Sequence, residues 1–292
     1  MKTKNEKWFA LSILLPAIII VFGVVLVPII QTFIYTFKDM NLISSSYDQF
    51  IGLENYITLL SDAEFWKTVG RTAYFTIVSL ALELTLGIMI ALLINENLKG
   101  RAFLRTIIIL PWAVPTIVNG ALWKWIYHPE YGALNALLSQ LGLISHYKSW
   151  LGDPWLAMNM IIVADAWKMT PLVVMFMLAS LQMINKSMYE AAMVDGASSI
   201  KRLFYLTLPH LKPTILVVLV MRTMEKFKVF DIIYATTRGG PANGTLTLTY
   251  DAYLSSFVEL DYSKGATISY LIAFLVILLT IIYVRVMKEK GV

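Results

Sequence analysis

Residues 10–34 form an unbroken run without a single charged side chain, and a run of that length constrains the fold more than any other feature of the chain. A helix needs roughly 20 mostly apolar residues to cross a hydrocarbon core about 30 Å thick. Further runs of that kind lie at 72–94, with only Glu83 charged, at 106–127, with Lys124 near one end, at 157–181, with Asp165 and Lys168, and at 266–284, with no charge. The stretch 214–235 is less clean, because it holds Arg222, Glu225, Lys226, Lys228 and Asp231. It is still read as a span, since the loops on either side then fall on opposite faces of the membrane. The expectation is an all-α polytopic membrane protein with six transmembrane helices, forming one membrane domain over 1–292 with no soluble domain appended. Composition agrees. Hydrophobic residues make up 58% of the 292 and charged residues 15%, where a soluble domain carries about a quarter charged.

The chain has no cysteine, which excludes disulfides and thiolate metal sites. Its three histidines, His128, His146 and His210, are far apart in sequence, which argues against a histidine metal or catalytic centre. The formal charge of +5 would suggest nucleic acid for a soluble protein, but in a membrane chain a positive excess marks cytoplasmic loops, and no nucleic acid is expected as a partner. With the N-terminus inside, thirteen Lys and Arg fall on the cytoplasmic side: Lys2, Lys4, Lys7, Lys99, Arg101, Arg105, Lys186, Lys201, Arg202, Lys212, Arg285, Lys288 and Lys290. At most seven fall outside. Both termini are therefore expected in the cytoplasm. The first run is too long for a signal-peptide core and lacks a small-x-small cleavage site, so it reads as a retained helix.

The segment 185–213 is the most patterned part of the sequence. Ser187 with Glu190 three residues later fits a capping box that opens a helix, and Gly196 fits the left-handed position that closes one. Ser198 or Ser199 can cap a second helix, on which Ile200, Leu203, Phe204 and Thr207 recur at helical spacing. Pro209 and Pro213 are expected to stop that helix. Taken by themselves, these residues describe a short helix, a glycine turn and another short helix, which could be no more than an amphipathic link between two spans.

Glu190, Ala191 and Ala192, then Asp195, Gly196 and Ala197, then Leu208 and Pro209 resemble the coupling loop of the binding-protein-dependent ATP-binding-cassette (ABC) importer permeases, with Leu206 where the family commonly has Ile. The run Phe230, Asp231, Tyr234, Thr237, Gly239, Gly240, Pro241 and Thr245 is similar to the outer loop of the carbohydrate class, as are Gly52 to Tyr56, Phe103, Arg105, Pro111 and Pro115. The resemblance covers nearly the whole chain and is closest to the MalF- and UgpA-like half of sugar importers (carbohydrate uptake class 1). It implies the type I ABC importer transmembrane domain, in a bacterial or archaeal plasma (inner) membrane. It also implies a second permease subunit as heterodimer partner, two cytoplasmic ABC ATPase subunits that dock on the loop through residues including Phe204, and an extracytoplasmic solute-binding protein that delivers a sugar. This chain would bind no cofactor, and ATP and Mg would sit on the ATPase. Glu190 would pair with the ATPase or cap its own helix, and Ala191 and Ala192 would allow close approach. A phosphate-cradling glycine loop with Lys-Ser/Thr is absent from the chain, so ATP hydrolysis must come from elsewhere.

Ionisable groups inside spans are costly and are functional candidates by default. Glu83, Asp165, Glu225 and Asp231 balance Lys168, Arg222, Lys226 and Lys228, which fits a protein-lined polar cavity better than lipid. Residues three and four apart share a helical face. Asp165, Lys168, Met169 and Leu172 then lie together, as do Arg222, Glu225, Lys226 and Val229, while Lys228 and Asp231 could pair with each other. Trp167, Phe227, Phe230, Tyr234, Asn119 and Trp123 are available to cover sugar rings or hydroxyls, or else serve only in packing. Either these groups line a substrate path, in which case the charges suit an anionic or amino sugar, or they are salt bridges that hold the helices together. A secondary transporter, a membrane enzyme and a permease for a non-sugar solute are the rival classes. No internal repeat with matching broken helices supports the first.

Overall fold

The computed structural model describes residues 4–96 and 99–289. Lys2 and Lys290, counted above among the orienting charges, lie outside the described residues, as do the side chains of Lys4, Lys7 and Lys288. In chain order, α1 (Lys4–Ile19) runs through a π-helical segment (Ile20–Leu26) into α2 (Val27–Tyr35). A short hairpin follows, β1 (Lys38–Asp39) antiparallel to β2 (Gln49–Phe50). Then come α3 (Glu54–Ser61), α4 (Ala63–Asn95), α5 (Arg101–Ala113), α6 (Thr116–Ile126), α7 (Ala133–Gln140) and α8 (Pro154–Gln182). The chain continues through α9 (Lys186–Val194), α10 (Ser199–Arg202), a second π-helical segment (Leu203–Thr207), α11 (Leu208–Phe227), α12 (Asp231–Ala235), α13 (Leu248–Phe257) and α14 (Tyr262–Glu289).

Among the described residues five helices are long and apolar enough to cross a membrane: Leu11–Tyr35, Ala63–Asn95, Pro154–Gln182, Ser199–Phe227 and Tyr262–Arg285. The pair α5 and α6, counted as one broken span, makes six. Two of the expected spans are corrected. The run 106–127 is bent by 95° between α5 and α6. Val114 precedes Pro115 and is extended, at φ −72° and ψ 129°, because the proline ring disfavours the helical region for the residue before it. The run 214–235 stops as a helix at Phe227, and only the short α12 follows. The carbonyls freed there are taken by side chains: Thr249 Oγ1 donates to Phe227 O and Thr247 Oγ1 to Val229 O, both at 3.1 Å. Backbone groups released at membrane depth need such partners.

A third correction concerns the prolines. Pro209 and Pro213 do not end the second helix of the 185–213 segment, which runs on from Ser199 to Phe227 as one span. The π-helical turn Leu203–Thr207 widens the ladder, with the Leu208 amide donating to Leu203 O, and Pro209 falls in the first turn after it, where no donor is required. The same device recurs in the first span, where the π segment Ile20–Leu26 precedes Pro28. In both places a proline that would break a regular helix is absorbed by a local change of helical period.

The chain divides into two compact units, Met1–Trp66 with Asp251–Leu271, and Lys67–Tyr250 with Ile272–Val292. In the first, α2 and α14 are joined by the Tyr270 hydroxyl, which donates to Ile29 O. The hairpin is pinned by Asn55 Nδ2, which donates to Thr36 O and Lys38 O, both at 2.9 Å, and by the Met40 amide, which donates to Ser263 Oγ at 3.2 Å. The most apolar stretch of the first span is entirely unburied, as a lipid- or subunit-facing helix must be. In the second unit, the apolar core gathers Ala91 and Ile94 of α4, Val173, Val174, Met177, Leu178 and Leu181 of α8, and Leu211 and Val218 of α11. Gly87 lets α4 approach α8 so closely that a Cβ there would sit 2.5 Å from Val173 Cγ1.

Candidate functional site

Helical spacing brings the charges of α4, α8 and α11 to one place inside the second unit. Glu83 of α4 is fully buried at 0% exposure, Arg222 at 1%, Lys226 at 2% and Asp165 at 5%. Arg222 Nε donates to Glu83 Oε2 at 3.0 Å and Nη2 to Glu83 Oε1 at 3.2 Å. Lys226 Nζ lies 2.6 Å from Glu83 Oε1 and also pairs with Asp165 of α8. Its ammonium sits 5.3 Å from the ring centroid of Phe75, a cation–π contact. Arg222 further pairs with Glu225, whose side chain is 44% exposed.

Burying any one of these ions alone would be prohibitive. Together they pair charge against charge, and the Glu225 end opens outward. Lys168 is buried, and its Nζ is 3.7 Å from Met169 Sδ. It brings the cationic members to three, against the three carboxylates Glu83, Asp165 and Glu225. The cluster is therefore neutral by formal count. Arg222 and Lys226 are both engaged by carboxylates of the chain itself.

Of the other residues expected along a path, Met169, Leu172 and Val229 are half-buried. Lys228 and Asp231 are both exposed, and among the described residues no ion pair joins them. The aromatic candidates are used in packing. Trp123 meets Trp167 edge-on at 5.8 Å and Tyr127 at 5.2 Å, and Phe230 stacks on Tyr234 at 5.5 Å. Asn119 Nδ2 donates to Ala164 O at 3.1 Å. Glu83 is the residue that sequence reasoning underweighted. It is the centre of the cluster, and the available signal was that it is the lone charge of the second span.

The 185–213 segment is an elbow. α9 is capped by Asn185, whose Oδ1 accepts from the Ser187 amide at 3.1 Å, so the cap is Asn185 and not Ser187. Gly196 turns the chain at φ +75°, a conformation a side chain resists. Ser198 then caps α10 by accepting from the Lys201 amide. The two arms are tied by Tyr189 Oη and Thr207 Oγ1, 2.9 Å apart. Glu190, Ala191, Asp195, Gly196, Phe204 and Pro209 are exposed, while Ala192, Ala197 and Leu208 are half-buried. Val194 at 88%, Tyr205 at 84%, Ile200 at 70% and Phe204 at 59% exposure leave the elbow with large apolar side chains mostly uncovered by the described residues.

The loop of the Gly-Gly-Pro run folds on its own threonines. Thr237 and Thr245 hydroxyls lie 2.6 Å apart, and Thr245 Oγ1 donates to Gly240 O at 2.7 Å. Asn135 organises the 128–150 loop through its amide, with Lys148 and Trp150 on its Oδ1. His128 of that loop stacks on Tyr131 with ring centroids 3.5 Å apart.

A chain of this kind, with five long apolar helices and a bent pair that makes a sixth span if counted as one, and with a self-neutralising charged core, belongs to the class of multi-pass membrane proteins. Residues 83–288 match the family of binding-protein-dependent transport system inner membrane components, and the chain is a member of that family. It is 42% identical over 275 residues to the trehalose/maltose transport system permease protein MalF of Thermococcus litoralis, spanning 94% of this chain and 91% of that one. It is 33% identical over 286 residues to the sulfoquinovosyl glycerol transport system permease protein SmoG of Agrobacterium fabrum, spanning 98% and 92%. A solved bacterial ABC transporter involved in the import of the acidic polysaccharide alginate has the same fold, with a TM-score of 0.84 at 24% identity over 99% of this chain and 98% of that one.

Proposed function

We propose that this chain is the MalF-like permease subunit of an ATP-driven, solute-binding-protein-dependent importer of a sugar or sugar-like solute. The observation that carries the reading is the 42% identity to a trehalose/maltose permease over 94% of the chain. The elbow supports it from the structural side, since an apolar face left bare between two spans calls for a protein partner. Two cytoplasmic ATPase subunits would hold ATP and Mg and dock on Glu190, Ala191, Ala192, Asp195, Gly196, Ala197, Phe204, Leu208 and Pro209. Because the second arm of the elbow is continuous with the fifth span, ATPase closure would act directly on α11, and through Arg222 and Lys226 on α4 and α8. A second permease would complete the translocation path, and an extracytoplasmic binding protein would deliver the solute. Both termini would lie in the cytoplasm, in a plasma membrane.

The solute would pass beside the open end of the charge cluster, along Glu225, Val229, Met169 and Leu172. Asp165, Lys168, Arg222 and Lys226 stand behind that surface and set its position and field. The test is uptake by proteoliposomes holding this chain with its partner permease, ATPase and binding protein. Labelled maltose or trehalose should enter only with ATP and binding protein present, and after ion gradients have been collapsed. Uptake driven by an ion gradient without ATP would overturn the reading in favour of a secondary transporter. ATP-dependent uptake of amino acids but no sugar would overturn the substrate class alone.

A further inference from the structure

Beside the elbow the chain lines a half-open cavity of about 730 Å³, between the ends of α4 and α8, the start of α5, and the arms α9 and α10. Four cationic residues line it, Arg101, Arg105, Lys186 and Arg202, against one carboxylate, Glu96. Among the described residues none of the four makes an ion pair, and Arg202 reaches only Ser199 Oγ, at 3.1 Å. The guanidinium of Arg105 is the sharpest feature. Its Nε and Nη2 are buried and have no hydrogen-bond partner, although buried donors are otherwise almost always satisfied. Arg105 shares the cavity wall with Arg101, Lys186 and Arg202, and a guanidinium is a fork shaped for a planar or tetrahedral oxyanion.

We propose that this cavity binds a phosphate-type anion, held by the four cations that line it, Arg101, Arg105, Lys186 and Arg202. The volume is that of a small-molecule site, large enough for a glycerophosphate group. Leu92 and Leu181 on its wall provide the apolar contact that a lipid glycerol backbone would use. The phosphate can come from an anionic lipid headgroup or from free phosphate, and both have the same recognition chemistry. The elbow thus has two faces. Val194, Ile200, Phe204 and Tyr205 are exposed and do not line the cavity, while Lys186, Tyr189, Arg202 and Thr207 do. An anion seated there would bridge the elbow to the span ends and stiffen the element through which force is proposed to pass. The site does not depend on which solute is carried, so its failure and the failure of the sugar reading are separately visible.

The test uses the full-length purified chain. Native mass spectrometry compares retention of phosphatidylglycerol with that of phosphatidylcholine, and thermal melting compares potassium phosphate with potassium chloride at matched ionic strength. Arg105→Gln and Arg202→Gln remove cavity groups. Lys201→Gln removes an exposed neighbouring charge that does not line the cavity. Preferential retention of phosphatidylglycerol, weakened about tenfold by Arg105→Gln and unchanged by Lys201→Gln, supports the site with a lipid source. Protection by phosphate over chloride that is lost in Arg105→Gln, without lipid preference, supports it with a soluble source. Should Arg105→Gln fail to fold, Arg202→Gln gives the same reading. Equal retention of both lipids with no phosphate protection overturns the proposal, as does a Lys201→Gln loss as large as that of the cavity variants.

Discussion

Glu83 holds Arg222 at two points, Oε2 to Nε at 3.0 Å and Oε1 to Nη2 at 3.2 Å, and the pair is sealed from solvent at 0% and 1% exposure. The contact ties α4 to α11 across 139 residues of sequence. Lys226 shares the same carboxylate, so Glu83 answers two cations. Glu83→Gln leaves both short of charge in a medium that cannot solvate them, and is expected to cost about 3–5 kcal/mol of stability. Adding Arg222→Met should recover most of that loss, because replacing both members of a buried pair by apolar or neutral groups is often close to neutral. Melting of the purified chain in detergent measures both variants. A double variant as unstable as the single one would mean that Arg222 is not the cation Glu83 mainly neutralises.

Gly120 of α6 sits against α12, and a Cβ placed there would lie 2.6 Å from the Cβ of Ala235. The two methyl-sized volumes cannot coexist without moving α12 away. Gly120→Ala is therefore expected to destabilise by about 1–3 kcal/mol, and adding Ala235→Gly, which moves the methyl from one helix to the other, should restore most of it. Urea or thermal melts of the three variants give the comparison. An indifferent Gly120→Ala would show that α12 is free to yield.

Asp251 lies in α13, outside the spans, where burial pushes its carboxyl above the ordinary carboxylate range, opposed by Lys264 and reinforced by Glu259, Asp62 and Glu64. The folded state then holds its proton to higher pH than the unfolded state does. Stability falls as pH rises from the ordinary carboxylate value through the raised one. Asp251→Asn should be more stable than the parent at neutral pH, with the advantage shrinking to nothing in acid below the ordinary range. Melting temperatures of both proteins across that interval decide it, and two parallel curves would count against the assignment.

The number of spans, the elbow and its glycine were legible because each rests on a local pattern. Long apolar runs specify helices in lipid, and Gly196 specifies a left-handed turn. What escaped was set by neighbours distant in sequence. Pro115 breaks the third span by acting on Val114, but Pro209, a residue of the same type, sits in a continuous helix because five residues before it changed period. Residue spacing placed Arg222, Glu225 and Lys226 on one face correctly, yet it could not reveal that Glu83, about 140 residues earlier, closes that face from the opposite helix. The cavity arginines were visible as positive charges near a membrane surface, and Arg105 also as part of the family resemblance, but nothing in a sequence records which of them will line one cavity.

Two substitutions in the elbow separate its shape from its surface. Phe204 is 59% exposed, and no hydrogen bond or ring contact of the described residues involves it, so Phe204→Asp should leave the melting temperature of the isolated chain unchanged. An aromatic anchor buried in a partner groove is commonly worth about 2 kcal/mol or more, roughly thirtyfold in affinity. If the proposed ATPase subunit docks there, its capture by the Phe204→Asp chain should fall by at least that factor, and ATP-dependent uptake should fall with it. Gly196→Val acts differently. At φ +75° a side chain costs about 1–2 kcal/mol, so this variant should weaken the elbow itself and lower both the melting temperature and the coupling. If the Phe204→Asp chain still captured its ATPase and drove uptake at the parental rate, the apolar face would have to serve something other than the nucleotide-driven partner.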